Sequence, residues 1–126
     1  MVLRLLLVED HTPFRGTLAL VLSLQPGMVV VAECGSVAEC RALGGLLGSV
    51  DVAVLDLMLP DGKGTELVAG LREANPELKV LILSTSIETE LVGRLSEAGA
   101  DGVLDKMTPM TEIASEVRRL AGMRGA

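Results

Sequence analysis

Apolar and polar positions alternate along this chain in blocks. Short runs of Val, Leu and Ile without polar interruption are separated by longer segments with apolar residues at helical spacing. An unbroken apolar run of strand length reads as a strand buried on both faces, as in a parallel sheet. The first strand is Val2 to Val8, apolar except for Arg4, and it ends in Glu9 and Asp10. Thr12-Pro13 then predicts a helix start, with Thr as N-cap and Pro at the first helical position. Phe14, Leu18, Val21 and Leu22 make its apolar stripe, and Pro26-Gly27 ends it. A second strand runs from Met28 to Cys34. Ser36 to Glu39 reads as a capping box opening a helix, with Val37, Cys40 and Leu47 inward. Gly44, Gly45 and Gly48 weaken this helix and predict an early end.

The third strand, Asp51 to Asp56, leads into Pro60, Asp61, Gly62, Lys63 and Gly64, a loop by its turn chemistry. A helix from about Thr65 to Ala74 follows, with Leu67, Val68 and Leu71 inward and Asn75-Pro76 as its stop. Val80 to Leu83 is the fourth strand, and Ser84, Thr85 and Ser86 stand at its end. Thr85 to Glu88 reads as another capping box, for a helix with Ile87, Leu91 and Leu95 on its apolar face and Gly99 as its C-terminal cap. Gly102 to Lys106 is a short fifth strand. Thr108-Pro109 repeats the Thr-Pro helix start, and Ile113, Val117 and Leu120 form the last stripe. The tail, Gly122 to Ala126, is expected to fray, leaving about residues 2–121 ordered. Strands and helices that alternate five times predict an α/β fold: a doubly wound sandwich with a five-stranded parallel sheet.

Composition narrows the picture. The 126 residues suit one domain, and 49% are hydrophobic, so a sizeable core is available. Phe14 is the only aromatic residue, so that core is aliphatic. The net charge of −6 gives no electrostatic footprint for nucleic acid or an anionic membrane surface. No apolar run is long enough to span a bilayer, and the N-terminus lacks the pattern of a signal peptide. Cys34 and Cys40, the only cysteines, have no nearby histidines to share a zinc ion with. They read as small buried residues of a reduced, cytoplasmic protein.

In a doubly wound sheet the ligand crevice lies beyond the strand C-termini. Those ends carry Glu9 and Asp10, Asp56, Ser84 and Lys106. Carboxylates crowded there repel one another, at roughly 3 kcal/mol per pair for about 5 Å and an effective dielectric near 20. A divalent cation relieves this, and all-oxygen ligands favour Mg²⁺ or Mn²⁺. Mg²⁺ keeps waters and bridges to phosphate oxygens, so a partial carboxylate cage suits phosphate handling. Lys106 then offers a point charge and Ser84 a hydroxyl to a phosphoryl oxygen. Asp56, deepest and central, is the natural nucleophile, and its attack on phosphorus gives an aspartyl phosphate. Taken singly, each residue has a plainer reading: Asp56 a turn or cap, Glu9 and Asp10 a loop start, Lys106 a solvated lysine, Ser84 a cap with Thr85 as the alternative hydroxyl. His11 and Lys63 read as solvent-facing.

LLLVEDH at the first strand, VLDLMLPDGKG around Asp56, VLILS at the fourth strand and GADGVLDK at the fifth resemble, in this order and spacing, the receiver domains of two-component response regulators. The resemblance covers the whole chain. The DH and FR steps are most similar to receivers that precede a LuxR-type DNA-binding domain; the sequence contains no such domain, which implies a stand-alone receiver or a fragment. The resemblance implies a flavodoxin-like fold and phosphorylation of Asp56 by a sensor histidine kinase. It implies Mg²⁺ held by Glu9, Asp10, Asp56 and the Met58 backbone carbonyl, with Ser84 as switch hydroxyl and Lys106 as the site lysine. It implies switching of the face made by the fourth helix, fifth strand and fifth helix, and a homodimer through that face. Val103 stands where such receivers carry an aromatic rotor, and Met107 where proline often follows the lysine. Two other readings compete. A phosphatase with the same nucleophile wants a second acid two residues on, where this chain has Met58; a degenerate receiver would serve only as an interaction surface.

Overall fold

The structure is a computed structural model that describes residues 2–123. Its main sheet is built from β1 (Leu3–Val8), β2 (Met28–Cys34), β3 (Val52–Asp56), β6 (Lys79–Ser84) and β7 (Gly102–Asp105). The order across the sheet is β2-β1-β3-β6-β7, and every neighbouring pair is parallel. A two-stranded antiparallel hairpin, β4 (Met58–Leu59) with β5 (Gly62–Lys63), stands just after β3. The helices are α1 (Thr12–Ser23), α2 (Val37–Arg41), α3 (Val68–Ala74), α4 (Thr89–Glu97) and α5 (Met110–Ala121).

Successive strand side chains point to opposite faces, which makes two separate aliphatic layers. Leu5, Leu7, Val52, Val54, Leu81 and Leu83 pack against Leu18 and Leu22 of α1 and Ile113, Val117 and Leu120 of α5. On the other face Leu6, Val8, Ala53, Leu55, Val80 and Ile82 pack against α2, α3 and Leu95 of α4. Right-handed crossovers from one strand to its parallel neighbour place the helices on both faces in this way. The doubly wound five-stranded sheet expected from the sequence is the observed fold.

The helix starts differ from the sequence reading. The N-cap of α1 is His11, whose Nδ1 accepts from the Phe14 N–H at 3.3 Å. Thr12 and Pro13 therefore occupy the first and second helical positions, where a missing N–H costs nothing either way. Pro109 itself is the N-cap of α5, not its first residue, and Thr108 precedes it. At α4 the cap is Glu88, with no side-chain bond, so Thr85 to Glu88 is no capping box. Ser36 does cap α2, accepting from Glu39 N at 3.1 Å, but the Glu39 carboxylate reaches back to Gly35 N and not to Ser36. The expected early end of α2 is real: it stops at Arg41, and Gly44–Ser49 continues as a 3-10 helix in which Leu47 is only half-buried. The predicted start of the third helix is also 3-10, over Gly64–Leu67. Of the tail expected to fray, Gly122 caps α5 and residues 124–126 lie outside those described.

Candidate functional site

Because all strands of the main sheet run the same way, their C-terminal ends share one edge. The chain leaves β1 for β2 on one side and reaches β3 on the other, so the winding reverses between β1 and β3. The crevice of an open α/β sheet opens at such a reversal. Glu9 and Asp10 follow β1 directly, and Asp56 is the last residue of β3. The fold therefore brings the three acids together: one carboxylate oxygen from each lies within 4.8 Å of the others. Glu9 and Asp56 are buried and Asp10 is exposed, so the cluster has a deep side and an open one.

Lys106, one residue past β7, reaches back across β6 to this cluster. Its Nζ lies 3.3 Å from Asp56 Oδ2 and also pairs with Glu9 Oε1. Burial alone would pull the ammonium below the ordinary lysine range. Its pairing with Glu9 and the charge of Asp56 together outweigh that and raise it above 10.5. Glu9 is fixed from the backbone side as well: its Oε2 accepts from His11 N at 3.1 Å, and its carbonyl accepts from Arg15 at 2.8 Å. Glu9 Oε1 is buried and faces the Lys106 ammonium. One carboxylate oxygen from each of the three acids within 4.8 Å matches the span of ligands lying ~2.0–2.6 Å from one hard ion. The donor set thus fits a divalent metal of the Mg²⁺ class.

Ser84 ends β6 on the same edge, buried, while Thr85 beside it is exposed. The Ser84 hydroxyl is not joined to the acids here. It donates to Ser86 O at 2.9 Å and accepts from Ser86 N at 3.2 Å, closing a small turn. Met58 lies in β4, two residues beyond Asp56, with its side chain exposed. Val103 packs half-buried against the aliphatic layer shared with α4.

The hairpin after Asp56 carries two roles that the sequence reading missed. Asp61, at its turn, accepts from Val37 N at 2.8 Å and Ala38 N at 3.0 Å, so it ties the loop to the start of α2. A Pro-Asp-Gly turn gives no sign that its carboxylate caps a helix twenty-odd residues back; only the fold places the two together. These two N–H bonds hold the Asp61 carboxyl below its ordinary range. A lowered carboxylate stabilises the fold above its ordinary pKa, near 3.9, and loses that contribution as pH falls through the lower folded value. Asp61→Ala is therefore expected to lower Tm at pH 7 and to match the parent once both are acidified well below pH ~4. Circular dichroism melts across that range check it; a deficit that persists undiminished in acid would contradict the clamp. The second role belongs to Gly64, whose N–H donates to Leu57 O at 2.8 Å and where a Cβ would run into the Asp56 carbonyl oxygen.

The profile of the family described as Response regulator receiver domain matches residues 5–118. The chain is 38% identical over 121 residues to the DNA-binding transcriptional activator DevR/DosR of Mycobacterium tuberculosis, covering 96% of this chain and 55% of that protein. It is 34% identical over 119 residues to the response regulator protein VraR of Staphylococcus aureus, covering 94% of this chain and 56% of VraR. The chain therefore spans about half the length of these relatives. Among solved structures, the signal receiver domain of the putative response regulator NarL from Mycobacterium tuberculosis superposes with a TM-score of 0.85 at 31% identity, covering 98% of each chain. A parallel five-stranded sheet with an acidic pocket at its winding reversal, and relatives of this kind over nearly the whole length, agree: this chain belongs to the response regulator receiver domains of two-component signalling.

Proposed function

We propose that Asp56 is the phosphoacceptor of this receiver. The observation that supports it most is the ammonium of Lys106 brought across the sheet edge to 3.3 Å from Asp56 Oδ2, beside the acids from β1. A sensor histidine kinase presents a phosphohistidine. An Asp56 carboxylate oxygen attacks phosphorus, the O–P bond forms as the P–N bond breaks, and the imidazole leaves with the electron pair. Lys106 holds a positive charge where phosphoryl oxygens arrive, and Glu9 keeps that ammonium in place. Glu9, Asp10 and Asp56, with the Met58 backbone carbonyl, would hold Mg²⁺ or Mn²⁺. When bound, the ion supplies charge neutralisation between the carboxylates and the phosphoryl oxygens.

The aspartyl phosphate carries about −1.5 to −2 of charge on its phosphoryl oxygens next to Ser84, in place of the single negative charge of the carboxylate. The Ser84 hydroxyl exchanges its bond to Ser86 for one to the phosphoryl group, which draws in the loop before α4. That segment is loosely held: α4 has no side-chain cap, only Leu95 of it is buried, and Ile87 is exposed. Thin packing of this kind gives low local stability, which a switch needs. The output face is α4-β7-α5, with Val103 transmitting by packing where an aromatic ring would rotate. In this reading residues 1–126 form the receiver module, a homodimer forms through the output face, and the output is transcriptional, carried by a separate DNA-binding domain as the activator relative suggests. The acidic receiver itself contacts neither nucleic acid nor membrane.

Incubation with Mg²⁺ and acetyl phosphate, followed by intact mass measurement, tests this. The expected result is a single added phosphoryl group, absent in Asp56→Asn and absent with a chelator. Repeated donor turnover without adduct would instead mark a phosphatase. No adduct at all would mark a receiver that serves only as an interaction surface.

A further inference from the structure

Phe14 is the only Phe, Tyr or Trp in the protein, and its ring sits beside the site. Lys106 Nζ lies 5.1 Å from the ring centroid, within the reach of a cation–π contact. The ring is half-buried on the first turn of α1, next to the layer formed by α1 and α5. A leucine would fill that apolar position as well, so packing alone does not ask for a ring. The ammonium, by contrast, has few neighbours suited to it. Glu9 and Asp56 take two sides of it, and the ring face covers another.

We infer that Phe14 is a positioning residue for phosphorylation, holding the Lys106 ammonium against Glu9 and Asp56 with the negative face of its ring. The inference rests on Asp56 being the phosphoacceptor. Lysine is a point charge on a stem with many rotamers, and unheld it samples solvent. A ring stacked against the ammonium does two things. It attracts the ammonium through its quadrupole, and it excludes water, which strengthens the pairing with the carboxylates. The phosphoryl oxygens then meet a charge already placed, so less ordering is left to the moment of transfer. The first helical turn is a sound mount for this purpose. Its entry is fixed by the His11 cap onto Phe14 N and by Arg15 bonded to the Glu9 carbonyl, so the ring and Glu9 are set by one short segment.

Two measurements test it. The first needs no phosphodonor. The chain has two ring-current sources, Phe14 and His11, so the part of the Lys106 shift that is lost in Phe14→Leu belongs to Phe14. The ε-methylene protons of Lys106, assigned by their loss in Lys106→Met, are expected upfield of ordinary lysine values; ordinary shifts would overturn the placement. The second is the rate of phosphorylation by acetyl phosphate at saturating Mg²⁺. Phe14→Leu is expected to slow it about three- to tenfold, the range for a partly desolvated cation–π contact. Phe14→Tyr keeps the ring face and is expected to restore the rate to within about twofold of the parent. In a Lys106→Met background Phe14→Leu is expected to change nothing further, because its route of action is gone. A Phe14→Leu protein as fast as the parent, or one slowed equally with and without Lys106, overturns the inference while leaving the phosphoacceptor intact. A parent protein that takes up no phosphoryl group overturns both.

Discussion

Gly64→Ala is expected to lose about 3 kcal/mol of stability, near the upper end for overpacking, and to lose phosphorylation with it. A Cβ at this position would lie 2.3 Å from the Asp56 carbonyl oxygen and 3.3 Å from Leu55 Cβ. The first of these is backbone, so no side chain can turn aside to relieve it. Either the Gly64–Leu67 turn moves off the sheet, or the end of β3 bends, and the residue displaced is the proposed phosphoacceptor itself. Gly64 N–H also donates to Leu57 O, so the hairpin closes over Asp56 only if this approach is kept. Gly70→Ala is the control. It lies exposed inside α3 with nothing within 4 Å of the added atom, and the substitution is expected to stabilise by about 0.5–1 kcal/mol. Without Trp or Tyr, the melts are followed by far-ultraviolet circular dichroism. For a chain of this size the Gly64 variant should melt roughly 10 °C lower and the Gly70 variant a few degrees higher. Gly64→Ala melting at or above the parent would show that the close approach is not a real constraint.

That contrast shows where sequence reading succeeds and where it stops. The fold was legible because an unbroken run such as Val52 to Leu55 can only be buried on both faces, and alternation with helices then leaves a parallel sheet as the natural solution. The residues of the acidic pocket were legible for the same reason: parallel strands send every C-terminal end to one edge, so Glu9, Asp10, Asp56, Ser84 and Lys106 had to gather there. What each side chain bonds to was less legible. His11 read as a solvent-facing residue, and it is exposed, yet its Nδ1 caps α1, a role that a Thr-Pro pair masked. Asp61 and Gly64 both read as generic turn residues. The role of each depends on an atom far away in sequence or pressed close in space, and neither distance is written in local propensity. Phe14 read as one member of an apolar stripe, and only its distance to Lys106 sets it apart.

The charge balance of the pocket yields the other large effect. Two buried carboxylates, Glu9 and Asp56, pair with the Lys106 ammonium, and the exposed Asp10 carboxylate lies beside them. Lys106→Met keeps the stem and its packing but leaves Glu9 and Asp56 buried without their counter-charge. Removing one partner of a buried pair costs far more than the pair contributes, and about 3 kcal/mol is expected here. The parent's advantage has a defined pH range. Because the folded ammonium titrates above the ordinary lysine value, its contribution is complete below pH 10.5 and fades only as pH rises through the higher folded value. The two proteins should therefore differ in Tm throughout the neutral range and converge in strong alkali. Added Mg²⁺ is the sharper test. With the ammonium gone the pocket is more negative, so the variant should bind the ion more tightly and gain more stability from it; at a hundred times Kd that gain is about 2.7 kcal/mol. The gap between the two melting curves should thus narrow with MgCl₂ and not with NaCl at matched ionic strength. Stability rescued in this way would not rescue function: phosphorylation by acetyl phosphate is expected to stay about a hundredfold slower, as for the loss of one charge-stabilising donor in a reaction centre. A gap that ignores Mg²⁺ would mean that the acids beside Asp56 do not form a divalent cation site, and a variant phosphorylated at the parent rate would remove Lys106 from the chemistry.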